Sequence, residues 1–112
     1  MASTLTLALA YMDALFVPGQ LDRLQHLLAP NCKFEGPLYQ FSNAQAYIDA
    51  LKSDPPTDWK YELLNTFEHE DSACLVYRFQ KPGVSTLMTH TFEASDNRLV
   101  HIRVIFDSAA FQ

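Results

Sequence analysis

Four runs of aromatic and β-branched residues fill the second half of the chain: Trp59 to Phe67, Ala73 to Phe79, Val84 to Phe92 and Leu99 to Phe106. In the later runs apolar and polar positions alternate, as a strand with one buried face requires. Lys81-Pro82-Gly83 separates the second run from the third, and Ser95-Asp96-Asn97 the third from the fourth. Proline pre-sets φ at one turn position, and glycine or asparagine tolerates the positive φ needed at the next. The pattern predicts an antiparallel meander.

The first half changes period. Leu5, Leu9, Met12 and Phe16 form one helical stripe, and Leu7, Tyr11, Ala14 and Leu15 a second. A helix apolar on nearly all sides is a buried one. Ser3 is placed to cap it and Pro18-Gly19 to end it near Val17. Leu21, Leu24, Leu27 and Leu28 predict a second helix over 21–29, closed by Pro30-Asn31. A short strand over Cys32–Glu35 follows, turned by Gly36-Pro37 into a return strand over Leu38–Phe41. Ser42 and Gln45 fit a capping box ahead of a third helix carrying Ala44, Tyr47, Ile48 and Leu51 on one face. Ser53-Asp54-Pro55-Pro56 stops that helix. No repeat or linker divides the chain, so residues 1–112 are read as one domain.

At 112 residues with 48% hydrophobic and 19% charged side chains, the chain is long and apolar enough for a real core. A net charge of −5 without clustered lysine or arginine argues against nucleic acid and against an anionic membrane surface. Leu5 to Met12 is apolar, and Ala8-Leu9-Ala10 resembles a cleavage site. No basic residue precedes it, however, and Asp13 interrupts it far short of a membrane span. Cys32 and Cys74 lie in apolar runs and are read as free buried thiols. A cytoplasmic location is expected.

Helices, a short hairpin, another helix and a four-strand meander resemble the nuclear transport factor 2-like superfamily, in its branch of SnoaL-like polyketide cyclases and ketosteroid isomerases. The likeness rests on Tyr11-Met12-Asp13-Ala14-Leu15, Gly19-Gln20-Leu21-Asp22, Leu27-Leu28-Ala29-Pro30-Asn31, Phe34-Glu35-Gly36-Pro37 and Arg98-Leu99 to Phe106. It implies an α+β fold, a cone-shaped mixed sheet curved over three helices (a cystatin-like roll), and frequent homodimers. It also places Tyr11 where ketosteroid isomerases carry an oxyanion-binding tyrosine. Gly36 stands at their general-base carboxylate and Met88 at their second oxyanion donor, so two of three chemical groups are missing. His90 matches a histidine of the polyketide cyclases, but their partner aspartate falls near Val104. The Asp-Arg-Asp network of limonene epoxide hydrolases has no counterpart, because Arg78 and Arg103 belong to the outward parity.

Strand parity then selects the interior. Phe106, Val104, Ile102 and Val100 share one face, and Phe92, His90, Met88 and Thr86 the same face of the neighbouring strand. Tyr77, Phe79 and Leu75 follow, with Trp59, Tyr61 and Leu63 on the next strand. Leu15, Phe34 and Tyr11 close the inside. Asp13 and Glu35 are the acids from elsewhere considered as substitutes for the missing carboxylates.

An aromatic pocket for a small hydrophobic molecule is the expected result. Tyr11 is the candidate to polarise a carbonyl and His90 the candidate to move a proton, since imidazole titrates near neutrality. The plainer alternative makes His90 a core histidine bonded to Tyr77, Tyr61 or a backbone carbonyl, and Tyr11 a packed phenol. His69 beside Glu68, Glu70 and Asp71 sits at a hairpin tip, and neither His26 nor His101 supplies metal spacing. No metal and no cofactor are expected. Three functions remain open: an isomerase or cyclase acting on a compact hydrophobic carbonyl compound, a non-catalytic binding module, or an association domain. Leu64, Leu87 and Ile105, interleaved with Arg78, Arg103 and His101, mark the outer sheet face for a homodimer.

Overall fold

The computed structural model describes residues 2–112. Helix α1 spans Thr4–Phe16, and Ser3 Oγ accepts the Thr6 N–H at 3.1 Å, satisfying one free donor of the first turn. Leu7, Ala8, Tyr11, Met12, Ala14 and Leu15 are all buried, as an all-round apolar helix should be.

The predicted second helix is shorter than expected. Leu21–Arg23 forms a 3₁₀ turn, α2 covers only Leu24–Leu27, and strand β1 already begins at Leu28 and runs to Glu35. The leucine stripe was a correct burial signal, since Leu24 and Leu28 are both inside. Leu28, however, pairs with Leu99 of the last strand, and tertiary pairing overrides local helix preference. Pro30 fits within β1 because the ladder is irregular between Leu28 and Lys33, where no bond to its missing N–H is required.

Strand β2 is only Gln40–Phe41, antiparallel to β1 through Phe34–Phe41 and Glu35–Gln40. Leu38 and Tyr39, expected in that strand, form an exposed turn in which the Gly36 N–H donates to the Tyr39 carbonyl at 2.9 Å. Helix α3 spans Ala44–Ser53. Its cap is Asn43, whose Oδ1 accepts the Ala46 N–H at 2.8 Å. The expected Ser42–Gln45 box does not form: Gln45 Nε2 donates to Asp49 Oδ1 at 2.7 Å. Counting from Asn43, the reciprocal position is Ala46, which has no side-chain acceptor.

The meander comprises β3 (Lys60–His69), β4 (Ser72–Lys81), β5 (Val84–Ser95) and β6 (Arg98–Phe106). Gly83 at φ +81° closes one hairpin, and Asp96 and Asn97 at +53° and +64° close another. The six strands form one mixed sheet ordered β2-β1-β6-β5-β4-β3, in which β1 runs parallel to β6 and all other neighbours are antiparallel. Helix α1 packs on β3 to β6 and α3 on β1, so the helices occupy one concave face.

One parity expectation fails where the ladder is irregular. The shift between Glu93 and Ala94 puts Leu99 fully inside and leaves Val100 half-buried. Leu63 keeps its expected parity, opposite Tyr77, but on the edge strand β3 it is 39% exposed and does not reach the core. Trp59 stands just before β3 rather than within it. A final 3₁₀ turn, Ser108–Phe111, is capped by Asp107 and folds back against β5.

Candidate functional site

Between α1, α3, the β1–β2 turn and the inner face of β4 to β6 the fold encloses a hollow of about 370 Å³, within the range of small-molecule sites. Its floor is made by strand parity. Tyr77 on β4, Met88 and His90 on β5, and Val104 and Phe106 on β6 all project to the concave side. Tyr11 and Leu15 reach it from α1 and Tyr47 from α3.

Two polar pairs lie in this apolar setting. Tyr11 and Tyr47 share a hydroxyl–hydroxyl hydrogen bond at 2.5 Å. Two phenols carry two protons but this contact uses one, so one O–H of the pair remains available. Burial raises the pKa of both phenols well above the ordinary value, so each stays protonated and able to donate. Phe34 stacks on the Tyr47 ring at 4.4 Å and 14°, which fixes the plane in which that hydroxyl turns.

The second pair is Tyr77 Oη with His90 Nδ1 at 2.7 Å. Tyr77 Oη also lies 3.4 Å from Met88 Sδ, placed to donate to it. If the phenol donates to sulfur, Nδ1 must carry the imidazole proton and donate to the phenol. Nε2 is then a bare lone pair, and it has no hydrogen-bond partner among the described residues. The opposite tautomer would strand an N–H donor in the interior, the costlier defect. Burial drops the His90 pKa to about 3, so the ring is neutral. It is sandwiched between Tyr77 and Phe92, with ring centroids 5.6 and 5.3 Å away, and Tyr11 meets it edge-on at 5.7 Å. The phenol and the imidazole named from the sequence thus stand side by side, each already engaged with a second tyrosine.

Of the other residues named from the sequence, Leu15, Phe34, Trp59, Tyr77 and Met88 line the hollow, as do Val104 and Phe106. Ile102 does not: it is fully buried beneath the floor. Tyr61 stands behind the wall, against Phe16 at 4.6 Å and Tyr77 at 5.7 Å. Neither substitute carboxylate reaches the interior. Asp13 is exposed on α1. Glu35 follows Phe34 on β1 and so faces the other way, where Arg103 at 2.9 Å and His101 at 3.2 Å bind it. The Arg103 hydrogen bond, then that of His101, holds the Glu35 carboxyl below its usual range. The hollow also includes Phe16, Phe111, Lys81 and Asp54. Phe16 belongs to the other helical stripe from Tyr11 and Leu15, so the spacing alone does not single it out, and a four-residue terminal turn has no periodicity from which Phe111 could be read.

Cys32 and Cys74 are unpaired. Burial pushes the Cys32 thiol up to about 11, which makes it a poor nucleophile. Among the described residues no group of three or more potential ligands could hold a metal ion, and no helix is long and apolar enough to cross a membrane.

Several solved structures share the architecture. A nuclear transport factor 2-like protein of unknown function from Cytophaga hutchinsonii is 21% identical with a TM-score of 0.79, covering 99% of this chain and 96% of its own. A candidate ketosteroid isomerase from Kribbella flavida is 18% identical with a TM-score of 0.81, over 93% of this chain and 77% of its own. An LEH-like epoxide hydrolase from M. tuberculosis is 13% identical with a TM-score of 0.81, over 96% and 84%. At such identities the likeness concerns the fold, which hosts unrelated chemistries. No curated protein matches the sequence. The family model of the SnoaL-like domain matches residues 8–102, most of the chain, and the protein belongs to that family.

Proposed function

We propose that the hollow binds a compact apolar molecule by one oxygen acceptor, a carbonyl above all, taken by the free O–H of the Tyr11–Tyr47 pair. The observation that carries this reading is the count of protons: two buried phenols, held protonated, with a single hydrogen bond between them. A hydroxyl already accepting a bond donates more strongly to the next acceptor. The surrounding rings and aliphatic side chains exclude water, and the volume suits a ligand of one or two fused rings. 1-Acetonaphthone and 1-ethylnaphthalene test this, differing chiefly in the carbonyl oxygen. The ketone should bind roughly three- to tenfold tighter, the worth of one net hydrogen bond, and the preference should vanish in Tyr11→Phe/Tyr47→Phe. Equal binding of both compounds by the unaltered protein would overturn the reading.

A catalytic version, proton shuffling of the isomerase or cyclase type, is favoured by one specific feature: the partnerless Nε2 of His90 beside the phenols. Against it stand the low His90 pKa and the absence of any carboxylate on the inner floor, which leave a weak base. Deuterium uptake at the methyl group of 1-acetonaphthone, followed by NMR in D₂O, separates the two. Exchange catalysed by the protein and lost in His90→Phe, with little change in melting temperature, makes the site catalytic. Exchange at the buffer rate despite saturation makes it a binding module.

The convex sheet face supports a homodimer. Leu64, Leu87 and Ile105 are 43%, 50% and 55% exposed there, among Arg78, Arg103 and His101. Exposed apolar side chains interleaved with cationic ones, Leu87 directly opposite Arg78, suit a second copy of the same surface. Sedimentation should give a dimer that Leu87→Glu/Ile105→Glu converts to monomer. The two free thiols accord with a reducing, cytoplasmic setting.

A further inference from the structure

Of the residues lining the hollow, only Lys81 and Asp54 carry a formal charge, and they differ in setting. Asp54 is exposed on the segment after α3, whereas Lys81 is half-buried at the end of β4. The Lys81 ammonium lies over the Phe111 ring, 5.2 Å from its centroid. Phe111 is itself held by Phe106 at 5.0 Å and Phe79 at 5.8 Å, so the terminal turn forms both a wall of the hollow and a seat for the cation. No ion pair to Lys81 occurs among the described residues, although Lys52, Arg103 and two histidines have acidic partners. An aromatic face orients an ammonium without neutralising it.

Resting on the binding reading above, we infer that the ligand is an anion: a compact apolar molecule with an acidic group, such as a carboxylate, paired with Lys81 at the rim. The charge of the whole chain argues the same way. A protein of net charge −5 repels anions at large, so a preference for one must come from a local cation, here in a wall whose one other charge is the exposed Asp54. The carbonyl end and the acidic end of the ligand would then be read by separate parts of the site, the phenol pair and the lysine. Lys81 is in this scheme a specificity-determining residue. Its own side chain would have little part in the affinity for neutral ligands.

Two fluorescent probes with the same ring system test this: 8-anilinonaphthalene-1-sulfonate, an anion, and N-phenyl-1-naphthylamine, which is neutral. Shifts of the Met88 and His90 amide NMR signals locate each probe in the hollow. The anion should bind tighter by about tenfold, as one charge-assisted contact allows, with the ratio falling as salt rises. Lys81→Met, which keeps the aliphatic stem, should abolish the ratio while leaving the neutral probe within about twofold of its original affinity. Asp54→Asn should raise affinity for the anion alone. If both probes enter equally and Lys81→Met changes nothing, the anion inference is wrong and the binding reading stands. If neither probe shifts Met88 or His90, the anion inference is overturned, and the comparison of ketone with hydrocarbon decides the binding reading separately.

Discussion

A Cβ built on Gly36 would lie 2.9 Å from Val104 Cγ1, closer than real side chains approach. These are two of the three positions, with Met88, at which isomerases or cyclases of this family carry carboxyl groups by the resemblance. With valine at one, any side chain at the other meets it. Val104 sits on β6 between β1 and β5, with a β-branched side chain that has little freedom to turn aside. The absent base is therefore packed out of the site as well as missing from it.

Gly36→Ala should destabilise the protein by about 1–3 kcal/mol through overpacking, measured by denaturant unfolding. In the Val104→Ala background the same change should cost much less, giving a favourable coupling in the double-mutant cycle. Additive effects would show that the two positions do not compete for space.

The Tyr77–His90 pair predicts a pH dependence with a definite sign. The folded-state pKa of His90, about 3, lies below the ordinary 6.5. As pH falls through about 6.5 the unfolded chain takes up a proton that the folded protein refuses until pH is near 3. Stability is thus full above about pH 6.5 and declines between 6.5 and 3. His90→Phe keeps the ring stack with Phe92 and removes the titration. Its unfolding free energy should lose a slope between pH 6.5 and 5, where few carboxylates titrate. An unchanged slope would mean that His90 is not the group responsible.

Tyr77→Phe removes the hydroxyl that meets both His90 Nδ1 and Met88 Sδ, and should cost about 1–3 kcal/mol because Nδ1 is left unsatisfied in the interior. Met88→Leu conserves volume and should cost under about 1.5 kcal/mol. In ¹⁵N spectra of the unaltered protein the proton of neutral His90 should reside on Nδ1. A proton on Nε2 would reverse the direction of the network and remove the bare lone pair.

At the start of α3, Asn43→Ala should lower stability by about 1 kcal/mol, the usual cost of a lost cap. Ser42→Ala, at the residue that sequence pattern nominated for the same role, should change it by less than about 0.5 kcal/mol. Thermal melts of the two variants decide between the caps.

The comparison of Asn43 with Ser42 also shows how local sequence reading fails. Both residues can cap, both are followed by plausible partners, and the choice turns on where the β1–β2 hairpin delivers the chain. Leu28 is the same case on a larger scale. Its helical spacing correctly marked it as buried, but Leu99, seventy-one positions later, decided that it would be buried as a strand.

Alternation along β4, β5 and β6 determined, without any coordinates, that Tyr77, His90 and Val104 face one side and Arg78 and Arg103 the other. Side-chain direction in a strand is a property of the backbone itself. The separation of helical from strand-forming halves, and with it the fold class, was settled in the same local way. Which polar groups meet was decided only in three dimensions. Tyr11 found Tyr47 across thirty-six residues, and Lys81 came to lie on Phe111 because a terminal turn with no pattern of its own closes over the rim. Such contacts depend on the curvature of the sheet and on interruptions in its ladders, which arise from all the strands together and are encoded at no single position.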